Sequence, residues 1–332
     1  MVQRSEATLF FMGSDPIAIP LLDWLRDSPE VDLCAVFTQP DRRSGRGKHL
    51  QPNAIKRWAL EKEIPVYQPN PPGPETVSWI REARAQAGLV MAYGHLLKEA
   101  LLEAPEHGLW NFHGSLLPRL RGASPLETAI AEGHRETGVS LMRVIKKMDA
   151  GPVADSESIP ILDTDRAPEL RERAASACIP LIARNLERLA SGTLKAEEQE
   201  ETAATYCRKL TKEDGFFDFA QPAVILERRY RACHPWPGSA ISYDGQILKV
   251  ESVQARPDAC AEGPPGTLRI VEGCIRISTS SGALEIGGVQ RPGGKMLKAE
   301  DFLRGFSLES GTRLAFSPSN PWEQASPFPR KP

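Results

Sequence analysis

The sequence lacks any regular arrangement of cysteine. Its six cysteines include no C-x-x-C pair and follow no regular spacing. They are Cys34, Cys178, Cys207, Cys233, Cys260 and Cys274. Neither a zinc ribbon nor a disulfide framework is therefore indicated. Scattered thiols are typical of proteins from a reducing compartment.

Long apolar runs are also absent. The run at residues 8–12 is too short for the apolar core of a signal peptide or for a membrane span. No other stretch approaches the length of about 18 uninterrupted apolar residues that a spanning helix needs. We therefore expect a cytoplasmic protein with no membrane partner.

The chain has no excess of charge of either sign. Its 332 residues include 41 basic and 43 acidic side chains, which gives a formal net charge of −2. This balance excludes a protein that holds a polyanion by bulk positive charge. The charge is nevertheless uneven, because residues 1–206 carry 24 basic and 29 acidic side chains, whereas residues 207–332 carry 17 and 14. The average therefore leaves room for small positive regions on a neutral body.

Strand-like and helix-like segments alternate in the first half of the chain. Apolar runs typical of buried strands occupy residues 8–12, 31–38, 64–67, 87–92 and 109–112. Helical patterns occupy residues 54–62, 98–104 and 168–189, with a kink expected at Pro180. Repeated βα units predict an α/β fold, a Rossmann-like and mainly parallel sheet with helices on both faces. Ligands of such sheets collect outside the carboxyl ends of the strands.

The second half is richer in short strands. Turn signals, among them Asp244-Gly245, separate five short β-type runs. The runs are residues 239–243, 247–253, 267–271, 275–279 and 284–289. This spacing predicts a smaller, OB-like β-barrel.

These patterns divide the chain into four parts. We expect a catalytic α/β domain at residues 1–190, a linker at 191–206, an OB-like domain at 207–316 and a proline-rich tail at 317–332. The tail is expected to be unpacked, because it contains prolines at 318, 321, 327, 329 and 332.

The turn after the first strand carries only one glycine of a dinucleotide-binding motif. Gly13 is followed by Ser-Asp-Pro, where a G-x-G-x-x-G fingerprint would place further glycines. We interpret this segment as a plain βα turn. NAD, FAD and nucleotides of the P-loop type are therefore not expected.

A polar pair, Asn111 and His113, stands at the end of the apolar run at residues 109–112. If residues 109–112 form a strand, alternation places Asn111 and His113 on the same face at its carboxyl end. An amide N–H can donate to a developing oxyanion, and an imidazole can accept a proton. The pair alone fits a structural histidine as well, so the chemistry depends on what accompanies it.

A carboxylate that could face the imidazole follows some distance later. Asp149 comes after an apolar run and before a Gly-Pro turn. By itself it could cap its own turn. Together with Asn111 and His113, it is better interpreted as the group that orients the imidazole.

These residues, with those that follow His113, resemble the folate-dependent formyltransferases, which include methionyl-tRNA, glycinamide-ribonucleotide and amino-sugar enzymes. The passage that carries the resemblance is Asn111-x-His113-Gly-Ser115-Leu116-Leu117-Pro118, followed by Asp149. Further passages resemble the methionyl-tRNA branch. They are residues 37–42 with 45–48, Ala92-Tyr93-Gly94, and Pro235-Trp236-Pro237. The resemblance extends from the first strand to about Arg304.

The resemblance implies a function and a catalytic site. Members of this branch transfer the formyl group of 10-formyltetrahydrofolate to the amino group of methionyl initiator tRNA, without a metal. Asn111 matches the family's oxyanion donor, His113 its proton acceptor or second donor, and Asp149 the group that orients His113. The residues matched to the folate site are Ser115, Leu116, Leu117, Pro118, Tyr93 and Gly94. A monomer is expected.

The resemblance also implies a tRNA contact through an arginine-rich loop. The loop residues matched to that contact are Arg42, Arg43, Arg46 and Lys48. His49 stands where relatives often have a second lysine, and Lys295 is a single lysine where relatives often have two, so both places depart from the pattern. In the OB-like domain, Tyr230 is flanked by Arg228, Arg229 and Arg231, which could bind tRNA phosphates.

Two other functions fit parts of the same pattern. The first is an N-formyltransferase that acts on a nucleotide-linked amino sugar, with the same chemistry and co-substrate. The second is a non-catalytic RNA-binding or folate-sensing protein on the same fold. The loop at 41–51 and the OB-like domain argue against the sugar enzyme, and the intact polar trio argues against a non-catalytic protein.

Overall fold

The computed structural model describes residues 7–44, 49–259 and 263–329. Two compact units share the chain. The first comprises the described residues of Met1–Gly122, Glu136–Pro160 and Arg171–Thr205, and the second those of Ala123–Arg135, Ile161–Leu170 and Tyr206–Pro332. Of the linker predicted at 191–206, residues 191–205 belong to the first unit and Tyr206 to the second.

A seven-stranded sheet forms the centre of the first unit. The strands of this unit are β1 (Ala7–Gly13), β2 (Val31–Phe37), β3 (Arg42–Ser44), β4 (His49–Gln51), β5 (Val66–Tyr67), β6 (Ala87–Met91), β7 (Leu109–His113), β8 (Arg121–Gly122), β9 (Glu136–Arg143) and β10 (Val153–Pro160). The sheet order is β10-β9-β7-β6-β1-β2-β5. The pairings from β5 to β7 are parallel, and β9 and β10 add an antiparallel edge. The Rossmann-like prediction is thereby confirmed.

Helices lie between strands along the chain in both units. They are α1 (Ile19–Asp27), α2 (Ala54–Glu61), α3 (Pro74–Glu82), α4 (Glu99–Leu102), α5 (Pro125–Glu132), α6 (Ala167–Ala183), α7 (Leu186–Ala190), α8 (Ala223–Ala232) and α9 (Ala299–Gly305). Pro180 lies inside α6, which ends three residues later. In the described part of the chain, no helix has the length and apolar character that a bilayer span requires.

Apolar packing explains why the central strands form. The side chains of Phe10, Met12 and Phe37 are almost fully buried, and they pack with Ile80 and Leu109. Fully buried strands of this kind show no polar alternation, which is why the sequence displays them as continuous apolar runs. The parallel pairings bring the carboxyl ends of β1, β2, β6 and β7 to one edge of the sheet.

An antiparallel sheet forms the core of the second unit. The strands of this unit are β11 (Tyr206–Cys207), β12 (Ser239–Tyr243), β13 (Gln246–Arg256), β14 (Leu268–Val271), β15 (Cys274–Ser278), β16 (Ala283–Gln290), β17 (Leu297–Lys298) and β18 (Glu323–Gln324). The order β12-β13-β16-β15-β14, with β17 on β16, confirms the small barrel-like domain. Helix α8 packs on it, and the Tyr230 hydroxyl accepts the Ser252 N–H at 2.9 Å.

The expectation of an unpacked tail is wrong for residues 317–329. Strand β18 pairs with β11, and Trp322 is only 1% exposed. The Arg229 guanidinium stacks on the Trp322 ring, 5.9 Å from its centroid, and also donates to the Ser319 hydroxyl. The prolines shape this segment without preventing it from packing.

Candidate active site

Strand β7 positions the polar pair predicted from the sequence. Its neighbour β6 pairs Val90 with Asn111, and β9 pairs Ser140 with His113. Because strand side chains alternate, Asn111 and His113 point to the same side of the sheet. His113 is 6% exposed and Asn111 half-buried. Among the described residues nothing hydrogen-bonds the Asn111 amide, so its N–H groups are free to donate.

The His113 ring is oriented by a backbone carbonyl. Its Nε2 lies 2.9 Å from the carbonyl oxygen of Leu120. A carbonyl can only accept, so Nε2 carries the proton of the neutral ring and Nδ1 keeps the lone pair. The basic nitrogen of this histidine is therefore Nδ1. The sequence identified the histidine but gave no indication of the Leu120 contact.

Asp149 lies on the Nδ1 side of the imidazole. Its Oδ1 is 3.9 Å from His113 Nδ1, beyond hydrogen-bonding distance but close enough to stabilise an imidazolium. Its Oδ2 accepts the Gly122 backbone N–H at 2.9 Å. The carboxylate thus faces the basic nitrogen, while Leu120 sets the ring's orientation.

Asp149 stands in a sharply bent turn. Its φ of 51° lies in the left-handed region, which costs a non-glycine residue about 1 kcal/mol or more. Two residues later, a Cβ on Gly151 would lie 1.8 Å from the Arg143 carbonyl oxygen. Only glycine allows this close approach. The Gly-Pro signal in the sequence corresponds to a turn that brings Asp149 back toward β7.

Ser115 holds the segment that follows His113. Its hydroxyl donates to the Arg119 carbonyl at 2.6 Å, and its own carbonyl accepts the Ser140 hydroxyl at 2.7 Å. The Ser140 hydroxyl also accepts the Leu117 N–H at 3.1 Å. Because Ser115 is 1% exposed, its side chain shapes this turn and does not face a ligand.

Leu116, Leu117 and Pro118, also matched to the folate site, lie in two different surroundings. The Leu116 side chain covers Gly138, where an added Cβ would approach it to 2.4 Å. Leu117 and Pro118 line a cleft of about 500 Å³. The rest of the cleft is formed by Val153, Ala154, Asp155, Ser156, Arg188, Lys195, Glu197, Glu198, Gln199 and Glu200.

A second polar cluster joins the ends of β1, β2 and β6. The Ser14 hydroxyl accepts the Gln39 N–H at 3.0 Å and donates to the Tyr93 carbonyl at 3.3 Å. The Gln39 amide donates to the same carbonyl at 2.8 Å. Sequence reasoning missed this cluster, although Ser14 stands in the βα turn where ligand-binding edges are found.

The Tyr93 side chain points into the core. It is 3% exposed, its hydroxyl has no partner among the described residues, and burial raises the pKa of that hydroxyl. Its neighbours Ala92 and Gly94 are exposed. Any ligand contact of this segment therefore comes from its backbone and from these two neighbours.

The resemblance implies a folate co-substrate, and the substitution Tyr93→Phe is expected to leave the KM for it unchanged. It should also leave the free energy of unfolding equal or up to about 1 kcal/mol higher, because it removes a buried hydroxyl that makes no hydrogen bond. Steady-state kinetics and urea unfolding measure both quantities. A clear rise in the folate KM would place the hydroxyl against the co-substrate.

The arginine-rich loop is a hairpin at its base. Arg42 and Arg43 are exposed residues of β3, which pairs with β4. Arg42 donates a hydrogen bond to the Gln39 side chain. The pKa of His95 is lowered, mainly because that side chain is partly buried and also because the positive charge of Arg42 is near. The loop base thus reaches the cluster at the ends of β1, β2 and β6. Arg46 and Lys48 lie outside the described residues.

The interpretation of the α8 arginines as phosphate ligands is wrong for two of them. Arg231 is buried, donating to Glu227 at 2.9 Å and to the Asp165 carbonyl at 2.8 Å. Arg229 binds the tail through Ser319 and Trp322. Both guanidinium groups are committed inside the second unit. The amphipathic pattern of a helix does not show which distant residues its arginines contact in the folded protein.

The site contains no sign of metal or thiol chemistry in the regions described. No cluster of three or more His, Cys, Asp or Glu side chains suited to a metal occurs among those residues. Burial raises the pKa of Cys178 and Cys233 to about 12, so these thiols are poor nucleophiles near neutral pH. What the site does offer is an amide, an imidazole and a carboxylate.

Comparison with known proteins places the chain in a family. The model of the formyl transferase family matches residues 8–184, and the model of its C-terminal domain matches residues 209–307. The chain belongs to the formyl transferase family. This formyl transferase is 38% identical over 307 residues to the methionyl-tRNA formyltransferase of Methylococcus capsulatus, covering 92% of this chain and 99% of that protein.

Solved structures of lower sequence identity share the fold. An N-formyltransferase from Helicobacter canadensis, solved with folinic acid and dTDP-3-aminofucose, matches with a TM-score of 0.63 and 19% identity. The match covers 86% of this chain and all (100%) of that one. HypX from Aquifex aeolicus matches with a TM-score of 0.59 and 16% identity over 94% of this chain, which spans 51% of HypX.

Proposed function

We propose that this formyl transferase transfers the formyl group of 10-formyltetrahydrofolate to the amino group of methionyl initiator tRNA. The product is N-formylmethionyl-tRNA, which serves translation initiation. The observation that carries the chemistry is the placement of His113 Nδ1, 3.9 Å from the Asp149 carboxylate, on the same strand face as the free Asn111 amide. Similarity over nearly the whole length to methionyl-tRNA formyltransferases supports the choice of amine.

The basic nitrogen of His113 removes a proton from the attacking amine. An α-amino group has a pKa near 7.7–8.0, so it needs little help to become a free amine near neutral pH. As the amine bonds to the formyl carbon it becomes acidic, and Nδ1 accepts its proton. Asp149 stabilises the imidazolium that results, and the Leu120 carbonyl keeps the other nitrogen protonated throughout.

Asn111 stabilises the charge that develops on the formyl oxygen. Its amide is already held by β7 and makes no other hydrogen bond within the described chain, so it donates without first losing a partner. Preorganised donors of this kind contribute most in a site from which water is excluded.

The residues at the sheet edge fit a folate co-substrate. When bound, 10-formyltetrahydrofolate would supply the formyl group that the amine receives, and the His113 imidazolium would return its proton to the folate nitrogen as that nitrogen's bond to the formyl carbon breaks. The exposed backbone at Ala92 and Gly94 and the apolar Leu117 and Pro118 would hold it, while Ser115 and the side chain of Tyr93 act from beneath the surface. The chemistry of this donor set requires no metal.

The tRNA contacts belong to the loop base and the second unit in this proposal. Arg42 and Arg43 are exposed beside the ends of the central strands, and Arg46 and Lys48 extend the same basic run in the sequence. Residues 1–190 would form the catalytic domain and 207–316 the tRNA-binding domain of a cytoplasmic monomer. Backbone phosphates are the groups that such arginines bind.

One assay tests the proposal. The protein is incubated with 10-formyltetrahydrofolate and methionyl-tRNA, and formylmethionine is measured after deacylation. Turnover of methionyl-tRNA is the expected result. Turnover only with a nucleotide-linked amino sugar would replace the proposed substrate with that of the alternative enzyme, whose fold this chain shares.

The substitution Arg42→Ala is expected to raise the KM for methionyl-tRNA by about tenfold, since a hydrogen bond to a charged group contributes about 1.5 kcal/mol or more. It should also reduce the salt dependence of tRNA binding by about one counterion. The folate KM should not change. The control is Arg81→Ala, which removes an exposed arginine from α3. Equal increases in both KM values would make the Arg42 contact with Gln39 purely structural.

A further inference from the structure

Gln199 reaches across the first unit to the turn that carries Asp149. Its Nε2 donates one hydrogen bond to the Asp149 carbonyl at 2.9 Å and another to the Gly151 carbonyl at 2.7 Å. Its Oε1 accepts from Arg121 Nε at 3.0 Å. Both amide hydrogens and the amide oxygen are therefore used inside the protein. Gln199 has no donor left for a substrate.

An ion-pair network holds Gln199 and its neighbours in place. Arg121 is completely buried, and its Nη1 lies 3.1 Å from both carboxylate oxygens of Glu201. Lys147 donates to Glu201 at 2.6 Å. Hydrogen bonds from Lys147 and Arg121 lower the pKa of Glu201 to about 2. We call residues 199–201 the strap.

The strap and the Asp149 turn are linked from both ends. Lys147 stands two residues before Asp149 and binds Glu201, while Gly151 stands two residues after it and binds Gln199. Arg121 connects the strap to Gly122, whose N–H donates to the Asp149 carboxylate. A strained residue with φ of 51° keeps its conformation only where its surroundings determine it.

We infer that Gln199 is a positioning residue for formyl transfer: its two N–H groups fix the turn that carries Asp149 and so hold that carboxylate toward His113 Nδ1. The inference rests on the proposed function, because it assigns Asp149 the role given there. A shift of about 1 Å in such a carboxylate is enough to lower a catalytic rate severalfold to a hundredfold. The segment between α7 and β11 is then part of the active-site framework.

The substitution Gln199→Glu tests the two donors directly. It keeps the shape of the side chain and an oxygen for Arg121, but it places a second oxygen against the Asp149 and Gly151 carbonyls. We expect kcat to fall about tenfold or more, with each KM within about twofold of its original value. The matched control is Glu187→Gln, the reverse exchange at an exposed position of α7. Gln199→Asn serves where the Glu variant does not fold.

A double-mutant cycle separates positioning from a general structural role. In an Asp149→Asn background, Gln199→Glu should lower kcat by less than about twofold further, because the carboxylate that Gln199 positions is already gone. If the two losses multiply instead, Gln199 acts independently of Asp149 and the inference is wrong.

A structural readout keeps the inference independent of the identity of the substrate. The Gly122 amide proton reports on its hydrogen bond to the Asp149 carboxylate. In ¹⁵N-labelled protein, Gln199→Glu should move this resonance toward its position in Asp149→Ala. An unmoved Gly122 resonance overturns the inference even if kcat falls. If the unaltered protein formylates no amine, the proposed function is wrong. The Gly122 resonance still tests whether Gln199 holds the turn that carries Asp149.

Discussion

Removing the side chain of Asn111 is expected to lower kcat by about 10²–10³-fold, the loss typical of a deleted oxyanion donor. The substitution Asn111→Ala should change each KM much less, because the amide interacts most strongly with charge that develops during the reaction. The structure favours this large effect for two reasons. The side chain is held by the centre of β7, between two paired strands, and its N–H groups have no other acceptor in the described residues.

Two further variants make the Asn111 prediction specific. Asn111→Asp keeps the size of the side chain and removes both N–H donors, so it should lose at least as much activity as the alanine variant. Asn320→Ala, which removes an exposed asparagine from the second unit, should leave kcat unchanged. Single-turnover kinetics separate the chemical step from product release. A KM increase with unchanged kcat would make Asn111 a ground-state binding residue instead.

The sequence predicted the placement of the polar pair on β7 because its signal is local. An apolar run and strand alternation are sufficient to place Asn111 and His113 on one face. The partner of the imidazole was harder to predict, because the Leu120 carbonyl approaches Nε2 through a turn held by Ser115 and Ser140. Hydrogen bonds that depend on such a turn leave no periodic pattern in a sequence.

The strap, which we propose positions Asp149, lies in a segment that the sequence predicted to be a linker. Gln199 stands in a run rich in glutamate and alanine, a composition typical of a solvated connection. Its role depends on Arg121, 78 residues earlier in the chain. A long-range pair between a buried arginine and an acidic segment becomes visible only in the folded structure. Glu201 remains ionised throughout the usual assay range, because its pKa of about 2 lies far below that range. Changes in kcat near neutral pH therefore report on other groups.

The buried parallel strands of the first unit were predicted, whereas β10 at the antiparallel edge of its sheet was not. Turn signals such as Asp244-Gly245 separated the short strands of the second unit correctly. Helix α3 was missed, because it begins directly after a proline-rich stretch and buries only Thr76 and Ile80. In the tail, the many prolines led to the prediction of an unpacked segment, although Trp322 is a large aromatic residue that a fold can bury. Trp322 is nevertheless buried beside Arg208 and Arg229, and β18 pairs with β11 next to it.

Shortening Trp322 is the most direct test of the packed tail. The substitution Trp322→Ala should lower the free energy of unfolding by about 3–5 kcal/mol, the range found for large aromatic residues deleted from a core. The ring is 1% exposed, and two guanidinium groups, those of Arg208 and Arg229, lie 5.9 Å from its centroid. Both cation–π contacts are lost together with the apolar burial.

The chain provides a matched control for this substitution. Trp236 is 51% exposed, so Trp236→Ala should change the free energy of unfolding by about 1 kcal/mol or less, as surface substitutions usually do. Urea unfolding followed by far-ultraviolet circular dichroism compares the two variants without relying on tryptophan fluorescence. Equal losses would mean that Trp322 is no better packed than an exposed ring. A loss confined to Trp322→Ala would establish that residues beyond the barrel stabilise the second unit, since β18 and the contacts of Arg229 with Ser319 depend on the same anchor.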